Sequence, residues 1–228
     1  MKDIAKGRKV VKIKFLNELD FINYKKPSMF IGFPKCSFKC GRAICQNAAL
    51  VNEPNIEIRI DDLVDKYLNN PLSKAVVVGG LEPFDSWEDL ESFIRVFRYW
   101  SGDEIVIYSG YTEEEIGQEK LDWLELYEPI IVKFGRYVPN QKPHYDKVLG
   151  VELASDNQYA KKFIIGDDCS MIKINSDKEL VAEIRQALKD NEGFCPCRPE
   201  KTTDTKCICK EFREQESGMC HCGLYIKV

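Results

Sequence analysis

The chain has 228 residues, 44% of them apolar, and a formal net charge of -4. This length suits one large domain and one small domain, and the apolar content is enough to bury a core, which excludes a disordered chain. Acidic and basic residues are interspersed, so no segment concentrates the positive charge that tracks a nucleic-acid backbone. No stretch approaches the ~20 apolar residues needed to cross a bilayer. The sequence therefore predicts a cytoplasmic protein with no nucleic-acid or membrane partner.

Strand and helix patterns alternate between about residues 10 and 166. Runs rich in β-branched and aromatic residues predict strands at 11–15, 29–33, 75–80, 104–110, 129–134 and 161–165. Helices are predicted at 60–70 and at 85–100, the second with Asp85 or Ser86 as its cap. Such alternation favours parallel strands with right-handed crossovers, and the segment is too short for eight units. The expected fold class is α/β, with a partial (βα) barrel.

The sequence changes character after Cys169. One more helix is predicted at 176–193, opening on a capping box of Ser176 and Glu179 and ending at Gly193. The cysteine-rich residues 194–228 contain too little apolar surface to fold around a core alone, so a metal or a cluster is expected to hold them together. The predicted domains are residues 1–170 and a small helical, loop-rich domain at 171–228.

Nine of the ten cysteines fall into two sets, and Cys169 stands apart. Cys36, Cys40 and Cys45 form the first, and the second contains Cys195, Cys197, Cys207, Cys209, Cys220 and Cys222. In a reducing compartment such sets indicate metal ligands or redox-active thiols. The first set follows the first predicted barrel strand, at the end where such barrels assemble their chemistry. Three thiolates would leave one iron of a four-iron cluster open, whereas a zinc site completed by a fourth residue is the alternative.

The segment FIGFPKCSFKCGRAICQN resembles the cluster loop of radical S-adenosylmethionine (SAM) enzymes, with a second gap of four residues instead of two. Ile44 stands where that family has an apolar residue against the adenine. VVVGGLEPFDSWEDL resembles the glycine-glycine-acid-proline motif of the activases of anaerobic ribonucleotide reductase, with Leu81 inserted. IVIYSGYTEEEI and LASDNQYAKK resemble two further elements of that branch, the second with Tyr159 in place of an arginine.

This resemblance implies a radical SAM barrel and a glycyl-radical activase. A [4Fe-4S] cluster would be held by Cys36, Cys40 and Cys45. SAM would be bound by six positions that match the motifs, namely Ile44, Gly79, Gly80, Glu82, Tyr108 and Asn157. The implied reaction cleaves SAM to a 5'-deoxyadenosyl radical, which abstracts hydrogen from a glycine of the large subunit of anaerobic ribonucleotide reductase, with ferredoxin or flavodoxin as the electron donor.

The second cysteine set consists of three Cys-x-Cys pairs. Six thiols exceed one tetrahedral site by two, so four can hold a cluster or zinc and two can form a disulfide beside it. The order Cys-Pro-Cys, Cys-x-Cys, Cys-His-Cys resembles the catalytic subunit of ferredoxin:thioredoxin reductase. That resemblance implies a second [4Fe-4S] cluster on Cys195, Cys207, Cys209 and Cys220.

The same resemblance gives the remaining residues of the set their roles. Cys197 and Cys222 would form the active disulfide, and His221 would stabilise a thiolate or supply a proton. The partner would be a thioredoxin- or glutaredoxin-like protein. Two alternatives stay open: the second cluster relays electrons to the first, or the protein is a zinc-stabilised thiol-redox binding module without SAM chemistry.

Overall fold

The computed structural model describes residues 9–163 and 173–227. The chain divides into two compact units, the first ending at Ile164 and the second comprising mainly the residues from Ile165 onward. Cys169 and the predicted domain boundary at residues 170 and 171 lie outside the described residues.

The first unit contains ten strands and four α-helices among its described residues. The strands are β1 (Val10–Ile13), β2 (Phe15–Asp20), β3 (Ser28–Phe33), β4 (Ile56–Arg59), β5 (Ala75–Gly80), β6 (Glu104–Tyr108), β7 (Ile130–Phe134), β8 (His144–Asp146), β9 (Val151–Leu153) and β10 (Tyr159–Phe163). The helices are α1 (Ile60–Leu68), α2 (Trp87–Trp100), α3 (Glu113–Ile116) and α4 (Gln118–Glu125), with 3-10 segments at Ala48–Asn52 and Pro83–Ser86.

The main sheet has six strands in the order β10-β7-β6-β5-β3-β2. The four central strands are parallel, with Ile31 beside Val78 and Val106 beside Ile131, whereas both edge strands are antiparallel to their neighbours. The sheet is open in the described part of the chain, and β1–β4 and β8–β9 form two small separate sheets. The α/β class is therefore confirmed.

Both faces of the parallel strands are buried. One alternating set of strand residues, including Ile31, Val78 and Ile107, packs with the apolar faces of the four helices. The other set, including Val77 and Val106, packs under the segment around Tyr24 and the residues near β9. Burial on both faces explains why the parallel strands read as continuous apolar runs.

The second unit is small. It contains α5 (Lys178–Asp190), α6 (Lys210–Glu214), a 3-10 turn (Thr203–Thr205) and three short antiparallel strands, β11 (Lys173–Ile174), β12 (Gly218–Met219) and β13 (Tyr225–Lys227). Its buried residues are a short apolar set together with three thiols: Val181, Ile184, Leu188, Phe194, Phe212, Leu224, Cys195, Cys209 and Cys220.

Three details of the sequence prediction were wrong. The strand expected at 11–15 is divided at Lys14, because residues before it pair with β4 and residues after it pair with β3. Ser86 stands at the N-cap of α2 without a capping hydrogen bond from its side chain. At α5 the cap is Asp177 and not Ser176, since Asp177 Oδ1 accepts from the amides of Glu179 and Leu180.

Other features were anticipated. The apolar face of α2 is buried as expected, through Leu90, Phe93, Ile94 and Phe97. The backbone of Gly193, just beyond α5, has a φ of +81°, as a helix-terminating glycine does. Among the described residues, none of the helices has the length and apolar character to cross a membrane.

Candidate functional site

The candidate site lies at the carboxyl ends of the parallel strands. Cys36 follows three residues after the end of β3, and Gly80 and Tyr108 are the last residues of β5 and β6. Because parallel strands end at a common edge, the connections that follow them are neighbours in space. The loop that carries the first three cysteines therefore lies beside the glycine pair that ends β5.

Two hydrogen bonds tie the cysteine loop to that strand end. The amide of Glu82 donates to the carbonyl of Lys35 at 2.8 Å. On the other side of the loop, Asn47 Nδ2 donates to the carbonyl of Gly80 at 2.7 Å. These contacts fix the residue before Cys36 and the residue two positions after Cys45. Asn47 was not among the predicted site residues, because its contact depends on which strand end lies opposite.

The three loop thiols are partly exposed and free. The Cys36 sulfur accepts a hydrogen bond from the Phe38 amide at 3.2 Å, and burial raises the pKa of this thiol. Burial also raises the pKa of Cys40, and a hydrogen-bond contact with Cys45 adds to this rise. Cys40 and Cys45 thus lie together, with Cys36 as a further electrostatic neighbour of Cys40.

Glu82 joins the ends of β5 and β6. Its side chain accepts hydrogen bonds from Ser109 Oγ at 2.9 Å, from the Gly110 amide at 2.8 Å and from the Phe84 amide at 3.2 Å. The residue is only 5% exposed, and burial raises the pKa of the carboxyl group to about 7. Three donors from the protein already surround this carboxylate, so its local role is to hold two strand ends together.

The glycine pair also has a local steric role. A Cβ on Gly79 would lie 3.1 Å from Tyr108 Cβ and 3.2 Å from the Phe30 ring. Gly80 has a φ of +80°, and a Cβ there would lie 3.1 Å from the Cα of Gly32. Glycine is therefore required by the backbone at this edge, whether or not a ligand approaches it.

The remaining positions implied by the resemblance are more dispersed. Ile44 is 42% exposed on the cysteine loop, where a ligand can contact it. The Tyr108 hydroxyl donates to the carbonyl of Asn23 at 2.5 Å. Asn157 is exposed, and its Nδ2 donates to the carbonyl of Arg136 at 3.0 Å. Asn157 therefore lies beside the chain that leaves β7, whereas the Tyr108 side chain is engaged with the segment between β2 and β3.

A buried lysine belongs to the same edge. Lys133 on β7 is 7% exposed and donates from Nζ to the carbonyls of Gly135 at 2.6 Å and Ser109 at 3.4 Å. Burial lowers the pKa of this ammonium group to about 8. Lys133 was not among the predicted site residues, although a lysine inside the apolar run IIVKF indicates a buried cation.

The six thiols of the second unit are neighbours, and all are free. Burial raises the pKa of Cys207 to about 12, and electrostatic interactions with Cys220, Cys195 and Cys209, the other three proposed cluster ligands, raise it further. The sulfurs of Cys220 and Cys222 lie 3.4 Å apart. A hydrogen bond from Cys222 lowers the pKa of Cys220 to about 6.

The three residues with implied redox roles also lie near one another. Cys197 is exposed, and its thiol approaches the carbonyl of His221 at 3.7 Å. The His221 side chain is exposed. Cys222 is partly buried, and it contacts Cys220 and Cys195.

The donor chemistry of both sets fits iron-sulfur ligation. Backbone amides donate to the sulfurs of Cys36 and Cys220, from Phe38 and from Tyr225 at 3.1 Å, and such bonds tune cluster thiolates. Within residues 9–163 and 173–227, no three His, Cys, Asp or Glu side chains surround one point as ligands of a single metal ion do. Cysteine ligands of a four-iron cluster bind separate irons and need not meet at one point. No protein family, no curated protein and no solved structure matches this chain.

Proposed function

We propose that the first unit binds a [4Fe-4S] cluster through Cys36, Cys40 and Cys45 and is a radical SAM activase. The observation that carries this proposal is the position of the cysteine loop, which is tied by Asn47 to the carbonyl of Gly80 at the carboxyl edge of the parallel strands. The four parallel strands, with their helices on one face, are interpreted as part of a radical SAM barrel. The substrate is the large subunit of anaerobic ribonucleotide reductase.

The residues at the carboxyl edge of the parallel strands have different proposed roles. Cys36, Cys40 and Cys45 would hold the cluster, which when bound would supply the electron for SAM cleavage. Ile44 offers an exposed apolar contact for the adenine. Gly79 and Gly80 present backbone without side chains. Glu82 keeps Ser109 and Gly110 against the end of β5, so it shapes the edge at which SAM would bind.

The second unit is proposed to hold another [4Fe-4S] cluster and to reduce disulfides. Cys195, Cys207, Cys209 and Cys220 are its ligands, and their mutual proximity supports this set. Cys197 is the exposed thiol, so it is the residue that can reach the disulfide of a thioredoxin- or glutaredoxin-like partner. Cys222 and His221 complete the redox site. Ferredoxin or flavodoxin is the proposed electron donor.

SAM cleavage tests the activase proposal. The protein is reconstituted anaerobically with iron and sulfide, reduced with dithionite, and assayed for 5'-deoxyadenosine by chromatography. Wild type is expected to form it, and a Cys36→Ala/Cys40→Ala/Cys45→Ala variant is expected to form none. Cys169→Ala is the matched control, because it removes a thiol outside both sets. Absence of 5'-deoxyadenosine from wild type that carries its full iron would refute the activase.

A further inference from the structure

A closed ring of hydrogen bonds holds the residue next to Cys36. The Ser37 amide donates to Asp85 Oδ2 at 2.6 Å, and the Tyr111 hydroxyl donates to Asp85 Oδ1 at 2.5 Å. The hydroxyls of Ser37 and Tyr111 are 2.8 Å apart. Since the single proton of Tyr111 goes to Asp85, Ser37 must donate to the Tyr111 oxygen. Each donor in the ring therefore has one defined acceptor.

The ring joins three separate parts of the first unit. Ser37 belongs to the cysteine loop, Asp85 to the 3-10 segment before α2, and Tyr111 to the connection after β6. Tyr111 is only 8% exposed, and burial together with its bond to Asp85 raises the pKa of its hydroxyl. The hydroxyl is accordingly protonated at physiological pH and can donate to Asp85.

Tyr111 also contacts the loop at a second point. Lys39 Nζ lies 4.0 Å from the centroid of the Tyr111 ring, within cation-π distance. Lys39 directly precedes Cys40, just as Ser37 directly follows Cys36. One buried tyrosine thus contacts the residue after Cys36 through its hydroxyl and the residue before Cys40 through its ring.

We propose that Tyr111 and Asp85 are positioning residues that hold the segment from Cys36 to Cys40 in the conformation that takes up the cluster. This inference rests on the proposed function of the first unit. It assigns both residues an indirect role, since they contact the neighbours of the ligands and not the ligands themselves. Neither residue was among the site residues expected from the sequence.

Thiol modification of the iron-free protein tests the positioning directly. Rates of iodoacetamide alkylation at Cys36 and Cys40 are measured by peptide mass spectrometry in wild type, Tyr111→Phe and Asp85→Ala. A lost hydrogen bond to a charged acceptor corresponds to roughly a tenfold or larger change in an opening equilibrium. We therefore expect about tenfold faster alkylation at Cys36 in Tyr111→Phe, and at least the same increase in Asp85→Ala.

Tyr67→Phe is the matched control, because the buried Tyr67 hydroxyl also donates to an aspartate, Asp103, at 2.6 Å, but from α1. It should lose similar stability and leave the alkylation of Cys36 and Cys40 unchanged. Equal acceleration in Tyr67→Phe and Tyr111→Phe would overturn the proposal, because general loosening would then explain it. Unchanged rates in Tyr111→Phe and Asp85→Ala would overturn it as well.

Cluster spectroscopy supplies the second readout. After anaerobic reconstitution, Tyr111→Phe is expected to keep its iron less well than Tyr67→Phe and to show an altered electron paramagnetic resonance signal from the first unit. An unaltered signal and iron content would overturn the link to the cluster. If wild type takes up no iron at Cys36, Cys40 and Cys45, the proposed function fails, whereas the alkylation rates still decide whether Tyr111 and Asp85 position the loop.

Discussion

At the scale of single residues, Glu104 has the most strongly stabilised carboxylate of the first unit. It begins β6 and accepts hydrogen bonds from Lys26 at 2.6 Å, Lys162 at 2.9 Å and the Tyr24 hydroxyl at 2.8 Å. Burial opposes ionisation, but these three donors outweigh it and hold the pKa at about 2, below the ordinary 4.5. The ionised Glu104 carboxylate is therefore more stable in the folded protein than in the unfolded chain.

Replacing Glu104 by glutamine should reduce stability in a pH-dependent way. Because the folded pKa is depressed, the stabilisation is complete above about pH 4.5 and is lost as the pH falls toward 2. With a discount for the partly exposed lysines, we expect a loss of about 2 kcal/mol at pH 7. Denaturant unfolding at pH 7 and pH 3 measures the free energy of unfolding of wild type and Glu104→Gln. The difference between these two values should be smaller at pH 3.

Glu57→Gln serves as the comparison for Glu104→Gln. Glu57 forms an ion pair with Lys12 in which both side chains are more than half exposed, so its removal should change the free energy of unfolding very little at either pH. A deficit in Glu104→Gln that stayed constant from pH 7 to pH 3 would contradict the proposed role of its charge.

Residue patterns indicated the candidate thiols, but they did not indicate the residues that support the cysteine loop. The spacing of the cysteines is visible in the sequence because the ligands of one site often lie close together in a loop. Asp85 and Tyr111 are separated from Ser37 by dozens of residues, and they meet it only because β3, β5 and β6 end at one edge. No local pattern indicates which distant residues become neighbours, so the contacts of Asp85 and Tyr111 with Ser37 could not be predicted from one sequence.

At the scale of elements, Lys14 explains why the first predicted strand is two strands. Its amide donates to the carbonyl of Gly32 at 2.7 Å, while its buried side chain turns away to the end of the 3-10 segment after Cys45. There Nζ donates to the carbonyls of Val51 at 3.2 Å and Glu53 at 2.6 Å. One lysine therefore both ends a strand and caps the element that follows the cysteine loop.

In Lys14→Met the 3-10 segment Ala48–Asn52 should lose its capping donor, while the apolar part of the side chain is retained. Loss of a charged donor from two carbonyls is expected to cost about 1–3 kcal/mol. Amide hydrogen exchange should accelerate at residues 48–53 more than in β5. Lys12→Met, on the exposed side of β1, is the control. It should leave the free energy of unfolding and the exchange rates at residues 48–53 unchanged. Uniform acceleration across the sheet in Lys14→Met would argue against a local capping role.

Element prediction succeeded where both faces of a strand are buried. The parallel strands β5, β6 and β7 are continuous apolar runs, and the burial of both faces accounts for that pattern. The strands β8 and β9 were not predicted, because three residues are too few to display the apolar-polar alternation of a strand. Element prediction also failed at Lys14, because the change of partner strand there depends on β4, more than forty residues away.

At the scale of the whole molecule, each cysteine set is supported from within its own unit. The first loop is tied to Gly80 and Glu82, and Cys220 in the second unit accepts a hydrogen bond from Tyr225. The two units are each compact by themselves. A cluster in one unit should therefore not require the other unit's cysteines.

Iron counting in the full chain tests this independence. Wild type should bind about eight irons, two four-iron clusters, after anaerobic reconstitution. Cys36→Ala/Cys40→Ala/Cys45→Ala should bind about four, and so should Cys195→Ala/Cys207→Ala/Cys209→Ala/Cys220→Ala, with complementary electron paramagnetic resonance signals that add up to the wild-type spectrum. If either variant lost all its iron, assembly of the two sites would be coupled. If both variants kept about eight irons, neither cysteine set would be a ligand set. Additive loss is expected because the contacts that hold each loop come from the unit to which it belongs.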